Sequence, residues 1–384
     1  MALSDNDIKR ARSNFAIDDG LIYINHASHS PLSVPARAVY DSYLDSWQRT
    51  MHKHDVESFR IIEDVRNKLA SMINSESERV GLSAGTSYGF NVIAGGYPWR
   101  PGDNVIVSDC EFPAVVYPWL RLKPEGVDIR MAGCINGFID EDTIISLADN
   151  KTRVIAVSWV QFYNGYRVDL EKLGSFCNDN DILLCVDGIQ GMGAIPIDVP
   201  SLNIDLFTCG GQKWMLGPCG TGFFYLSERA EKIISTPYFG WLSVDWGVDF
   251  TDLMRYDLPP RKGPSKYEMM TYPFQDIRAF DASIDLLLSF DPVDRWEHII
   301  SMTDLIIEAV DSLDSFALAS SREESRRSGI LNFKTDDTER LFESLLEKGF
   351  ALSFREGGIR VSPHFYNTID EINKFVDALK EFSR

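Results

Sequence analysis

A lysine stands at position 213 in the stretch TCGGQKWMLGP (208–218), directly after the apolar run LFTC (206–209). Two chemistries suit such a setting. The aliphatic stem can lie on apolar surface while the ammonium stays in water. Alternatively, the amine is held out of water, where desolvation favours its neutral form and makes it a nucleophile or base. Asp187 ends a second apolar run, ILLCVD (182–187), and Gln190 follows three residues later. In an open parallel sheet, ligands bind beyond the carboxyl ends of the strands. An amine and a carboxylate on neighbouring strand ends would then face one crevice. A third element is SAGTSYGFN (83–91), where Gly85 permits a tight turn and Thr86 and Ser87 open a helix. Their hydroxyls and backbone N–H groups form an anion site suited to phosphate. The same residues also serve as plain helix caps.

An amine for covalent attachment, a carboxylate for a ring nitrogen and a helix N-terminus for a phosphate together fit pyridoxal 5'-phosphate (PLP). The aspartate is needed because a protonated ring withdraws electrons from a substrate carbanion. The lysine both anchors the cofactor and moves protons.

Positioning these groups requires strands. Seven apolar runs read as strands: VGLSA (80–84), NVIVSD (104–109), VDIRMA (127–132), RVIAVSWV (153–160), ILLCVD, LFTC and GFFYLS (222–227). Several are apolar almost without interruption, as expected when both faces of a sheet are covered. Helical patterns lie between them, including 87–96 and 169–181, so the fold class is α/β with a mostly parallel seven-stranded sheet. The pattern changes near residue 240. RYDLPPRKGPSK (255–266) reads as an exposed loop, followed by helices around 276–290 and 295–313. Strand and helix signals from 328 to 382 suggest a smaller α+β C-terminal domain. The expected division is 21–270 for the large domain, with 1–20 and 271–384 forming the small one.

The length of 384 residues allows about two domains, and the net charge of −19 argues against nucleic-acid partners. Six cysteines, none in a CxxC pair, point away from structural zinc and from a disulfide framework, so free buried thiols are expected. No metal site is expected. The first fifteen residues lack the apolar core of a signal peptide, and no run of about 18 apolar residues occurs, so a cytoplasmic location without membrane contact is expected.

The stretches VDGIQGMGAIPIDV (186–199) and DLFTCGGQKWMLGPCGTGFFYL (205–226) carry a family resemblance that runs from INHASHSPL (24–32) to RVSPHFYNT (360–368). The sequence resembles the class V aminotransferases, which include cysteine desulfurases, kynureninases and isopenicillin N epimerase-like enzymes. The resemblance implies the PLP-dependent transferase fold of type I. It makes Lys213 the Schiff-base lysine, Asp187 the partner of the pyridine nitrogen and Gln190 a neighbour of the phenolic oxygen. Thr86 and Ser87 become phosphate ligands, and Phe112 stacks on the ring where desulfurases usually carry histidine. Gln161 resembles a polar residue beside the cofactor. Gln212 replaces a frequent histidine and Gly210 a frequent serine, which makes the phosphate cup a variant one. Thr271 in YEMMTYP (267–273) resembles a threonine that reaches the neighbouring subunit's phosphate, implying a homodimer with shared sites. Arg360 falls on the residue that holds a substrate α-carboxylate, and Asn25 and His26 on the segment crossing the site's mouth. The aromatics of YFGWLSVDW (238–246) suit either the pocket or an interface.

One departure bears on the reaction. Desulfurases carry a catalytic cysteine before the carboxylate-binding arginine, and GFALSFREGGIR (349–360) has none. The expected activity is therefore PLP chemistry at the α-carbon of an amino acid or a derivative, aminotransferase- or epimerase-like. A C–S or C–C lyase needing no persulfide cysteine is the alternative, and a non-catalytic protein of the same fold the further one.

Overall fold

The computed structural model describes residues 3–49, 56–247, 251–269 and 271–383, leaving the expected domain boundary at 270 outside the described residues. All seven apolar runs become strands of one sheet: β1 (Val80–Leu82), β2 (Asn104–Ser108), β3 (Asp128–Ala132), β4 (Thr152–Ser158), β5 (Leu183–Asp187), β6 (Leu206–Gly210) and β7 (Gly222–Leu226). Their spatial order is β1-β7-β6-β5-β4-β2-β3, and β7 alone runs antiparallel to its neighbours. The unbroken apolar runs follow from burial on both faces. Alternate side chains feed two separate cores: Ile155, Val157, Leu184 and Val186 enter one, and Val154, Ala156, Leu183 and Cys185 the other.

A second sheet comprises β8 (Phe316–Leu318), β9 (Leu331–Thr335), β10 (Ser353–Arg355) and β11 (Gly358–Val361), in the order β10-β11-β9-β8 and wholly antiparallel. The helices Pro292–Asp311 and Ile369–Phe382 pack together beside it. The latter opens with a capping box in which Thr368 and Glu371 satisfy each other's backbone N–H. The N-terminal segment joins this half. Ile22–Tyr23 pairs in parallel with Phe350–Ala351, Asn25 bridges to Ser362, and Phe15 stacks on Tyr366 at 3.8 Å. These contacts carry the segment five residues past the expected boundary at 20.

Helices also form at Val34–Arg49, Val56–Met72 and Pro113–Leu120, among stretches where no helical pattern was read. The helix Phe274–Leu288, assigned by sequence to the small domain, packs on the first two of these. Beside it, the buried Arg66 guanidinium donates to both carboxylate oxygens of buried Glu268, at 2.6 and 3.1 Å.

The expectation of free thiols needs correction at one pair: Cys110 and Cys134 form a disulfide, with Cα atoms 6.3 Å apart. Ser108 of β2 pairs in register with Ala132 of β3, so each cysteine lies two residues beyond matched strand ends. Proximity here comes from parallel register, which a separation of 24 residues does not reveal. Cys177, Cys185 and Cys209 are free and buried, and Cys219 is free and exposed.

Candidate active site

The carboxyl ends of β5 and β6 open into a cavity of about 740 Å³. Lys213 reaches its wall three residues after β6, and its Nζ lies over the Phe112 ring, 5.6 Å from the centroid. Burial pushes the Lys213 amine down to about 8. The Asp187 charge opposes this shift, and the guanidinium groups of Arg360 and Arg355 add to it. Asp187, the last residue of β5, is 3% exposed, and burial raises its carboxyl to about 6. One of its oxygens accepts from the Ile189 N–H at 2.9 Å and the Thr86 hydroxyl at 3.4 Å. Ile189, Gln190 and Gln212 line the same cavity. The Gln190 amide is held at both ends, donating to the Ala27 carbonyl at 2.9 Å and accepting from the Trp214 indole at 3.0 Å.

The helix Thr86–Gly96 starts at the cavity. Its N-cap is Gly85, at φ 146°, and no side chain caps the first turn. A β-carbon on Gly85 would meet nothing within 4 Å, so open space lies before the helix N-terminus. Thr86 directs its hydroxyl to Asp187 rather than to its own helix, and Ser87 lines the cavity. An uncapped helix end facing open space leaves backbone N–H groups available to an anion.

Arg360 of β11 lines the same cavity and is 2% exposed. Its guanidinium donates to the Phe162 carbonyl and the Ser28 hydroxyl, each at 2.6 Å, while its buried Nε has no partner among the described residues. Burial lowers its basicity to about 9, and the neighbouring Arg355 adds to this.

Four residues singled out by sequence lie elsewhere. His26 is fully buried, bonded to the Ser362 carbonyl and the Tyr366 hydroxyl, and burial lowers it to about 3, so its ring stays neutral. Asn25 accepts from the Ser353 hydroxyl at 2.6 Å and contributes nothing to the cavity lining. Gln161 turns its amide to Cys110 Sγ and the Ile139 N–H, and its neighbour Phe162 lines the cavity instead. Thr271 is exposed and borders a separate cavity of about 210 Å³. Of YFGWLSVDW, Tyr238 reaches the site, while Phe239 and Trp241 are exposed.

Sequence reasoning passed over Ser28, Phe162 and Arg355, which line the cavity, and Glu111 beside it. Glu111 is buried, accepts from the Ser158 N–H at 2.6 Å and from the Ser158 hydroxyl, and is raised to about 7, chiefly by burial. It ties the loop before Phe112 to the end of β4. Its only signal was an acid directly before Phe112 in DCEFP.

The buried Asp187, the Lys213 amine, the open helix end at Gly85 and the orphaned Arg360 Nε fit PLP with an acidic substrate group beside it. Fold and site together define a PLP-dependent protein of fold type I. The sequence matches aminotransferase class-V over residues 28–375, and the chain belongs to that family. It is 26% identical to a protein of Methanothermobacter thermautotrophicus described as a probable cysteine desulfurase, over 94% of each chain. It is 24% identical to the uncharacterized aminotransferase YcbU of Bacillus subtilis, over 92% of each. Among solved structures, a C-DES mutant with glycine covalently linked to its PLP cofactor superposes with a TM-score of 0.86 at 19% identity, covering 96% of this chain and 98% of that one. Apo cysteine desulfurase of Thermococcus onnurineus gives 0.86 at 19%, over 100% and 99%. Among the described residues, no helix is long and apolar enough to cross a membrane.

Proposed function

We propose that the protein acts at the α-carbon of an amino acid or an amino-acid-derived substrate, in an aminotransferase- or epimerase-like reaction. The observation that carries this reading is that Lys213, Asp187 and Arg360 line one cavity. When bound, PLP supplies an electron sink for the pair left at the α-carbon. Asp187 holds the ring nitrogen's proton, its buried charge balanced by that nitrogen. Thr86, Ser87 and the Gly85 turn receive the phosphate, with Gln212 beside them. Phe112 covers one ring face; it stacks but carries no proton. Arg360 holds the α-carboxylate. Lys213 anchors the cofactor and then shuttles the α-proton. With its amine lowered to about 8, an appreciable neutral fraction exists near neutral pH.

A second reading, a lyase that releases the substrate's β-substituent directly, is favoured by one observation. The relative from Methanothermobacter is described as a probable cysteine desulfurase, yet the hairpin formed by β10 and β11 offers no cysteine to accept sulfur. Either reaction fits a homodimer in which Thr271, exposed and outside its own chain's cavity, serves the partner's phosphate.

Borohydride reduction of the holoprotein, followed by peptide mass mapping, tests the anchor: the cofactor mass belongs on the Lys213 peptide. A Lys213→Ala protein that keeps the same adduct defeats the reading. Incubation with an amino-acid panel, scored for α-keto acid, sulfide and deuterium exchange at the α-carbon, separates the two reactions.

A further inference from the structure

The hairpin that carries Arg360 brings a second arginine to the same cavity. In the antiparallel pair of β10 and β11, Ser353 stands opposite Arg360 and Arg355 opposite Gly358. Residues directly opposite share one face of a sheet, and so do residues two apart along a strand. Arg355 is therefore on the face of Arg360, one diagonal step away, about 7–8 Å for such neighbours. The turn between the strands, Glu356 at φ 49° and Gly357 at φ 72°, is the left-handed pair that fixes a two-residue hairpin and its register. Both arginines line the cavity.

Their surroundings differ. Arg360 is buried and bonded to Phe162 and Ser28. Arg355 is exposed, its Nη1 donates to the Phe354 carbonyl at 2.8 Å, and no ion pair engages it among the described residues. Arg130, Arg153 and Arg326, by contrast, each meet a carboxylate within 3.1 Å. Among the described residues lining the cavity, Asp187 is the only acid, against Lys213, Arg355 and Arg360. With a phosphate at the helix end, one α-carboxylate answers only one of the two guanidinium groups.

We propose that Arg355 determines specificity by binding a second carboxylate, at the end of the substrate's side chain, so that dicarboxylic α-amino acids are the preferred substrates. This rests on Arg360 holding the α-carboxylate. A guanidinium–carboxylate pair in a partly enclosed pocket gives about tenfold or more in affinity.

Succinate and propionate carry no amine and probe the two cations without any reaction. Calorimetry on the holoenzyme should show succinate binding about tenfold or more tightly than propionate. Arg355→Gln should abolish that difference while leaving propionate unchanged, and Arg355→Lys should keep part of it. In absorbance titrations, aspartate or glutamate should saturate the wild type at about tenfold lower concentration than alanine, and Arg355→Gln should remove the gap. Equal binding of succinate and propionate, or a gap that survives in Arg355→Gln, overturns the proposal even if amino acids react. An Arg355-dependent succinate preference in a protein whose spectrum no amino acid changes would uphold the second anion site and refute the α-carbon reaction.

Discussion

Asp187 makes the active site a measurable load on the fold. The residue is 3% exposed, and burial raises its carboxyl from 3.8 to about 6 even after the Lys213 charge and the Ile189 and Thr86 hydrogen bonds pull it back. A raised carboxylate pKa means that the folded protein resists ionisation that the unfolded chain accepts freely. The cost is therefore absent below about pH 3.8, grows as the pH rises toward 6 and is complete above it. At about 1.4 kcal/mol per pH unit, the full cost is about 3 kcal/mol. Asp187→Asn keeps the shape and an oxygen for the Ile189 N–H but removes the charge. The cofactor-free variant should be about 3 kcal/mol more stable than wild type at pH 8 and about 0.5 kcal/mol more stable at pH 4. Urea unfolding of both proteins across this range, followed by tryptophan fluorescence, gives the comparison. The same variant loaded with PLP should lose about 100-fold or more in turnover, because the ring nitrogen has lost its anionic partner. A variant no more stable than wild type at pH 8, or a gap that does not close toward pH 4, refutes the claim that Asp187 is held against its own desolvation.

Glu268→Ala strands the buried Arg66 guanidinium, the Leu82 N–H and the Tyr272 hydroxyl, and should cost about 3–5 kcal/mol in urea unfolding; Arg66→Met with Glu268→Leu should recover the part owed to the stranded guanidinium. Arg360→Lys removes the planar fork that bonds Phe162 and Ser28, and should raise the KM for an α-amino acid about tenfold or more while spectral cofactor binding is unchanged. Gly210→Ser would place a β-carbon 2.5 Å from Gln212 Oε1 and 3.0 Å from Ile189 Cδ1. Overpacking of this kind should weaken PLP binding about tenfold in a fluorescence titration, and Gln212→Ala in the same chain should restore it.

Much of the site was legible because strand ends are marked in the chain. The seven apolar runs announce a sheet covered on both faces, and polar residues at or just past the ends of two of them, Asp187 and Lys213, do meet in one cavity. What stayed hidden depends on register and on side-chain commitments. His26 and Gln161 are polar residues near the site in sequence, yet their hydrogen bonds go to Tyr366, Ser362, Cys110 and Ile139, partners brought in from other elements. Arg355 was overlooked for the opposite reason: its place on the face of Arg360 follows only from the hairpin register. The pairing of Cys110 with Cys134 is equally a matter of register, between β2 and β3. The helix Phe274–Leu288 shows no sequence mark that distinguishes packing on Val34–Arg49 from packing on the C-terminal half.

The two departures around Lys213 gain a common cause from the structure. Read singly, Gly210 removes a hydroxyl and Gln212 removes a charge, so the phosphate cup looks twice weakened. The Gln212 carboxamide, however, occupies the space over Gly210 that any β-carbon would take. A serine at 210 and the Gln212 side chain in its present conformation compete for one volume. Gly210→Ser should therefore be harmful in this chain although serine is frequent in the family. Restoration by Gln212→Ala would locate the harm in that contact, and failure of the second change to restore binding would show the two substitutions to be independent.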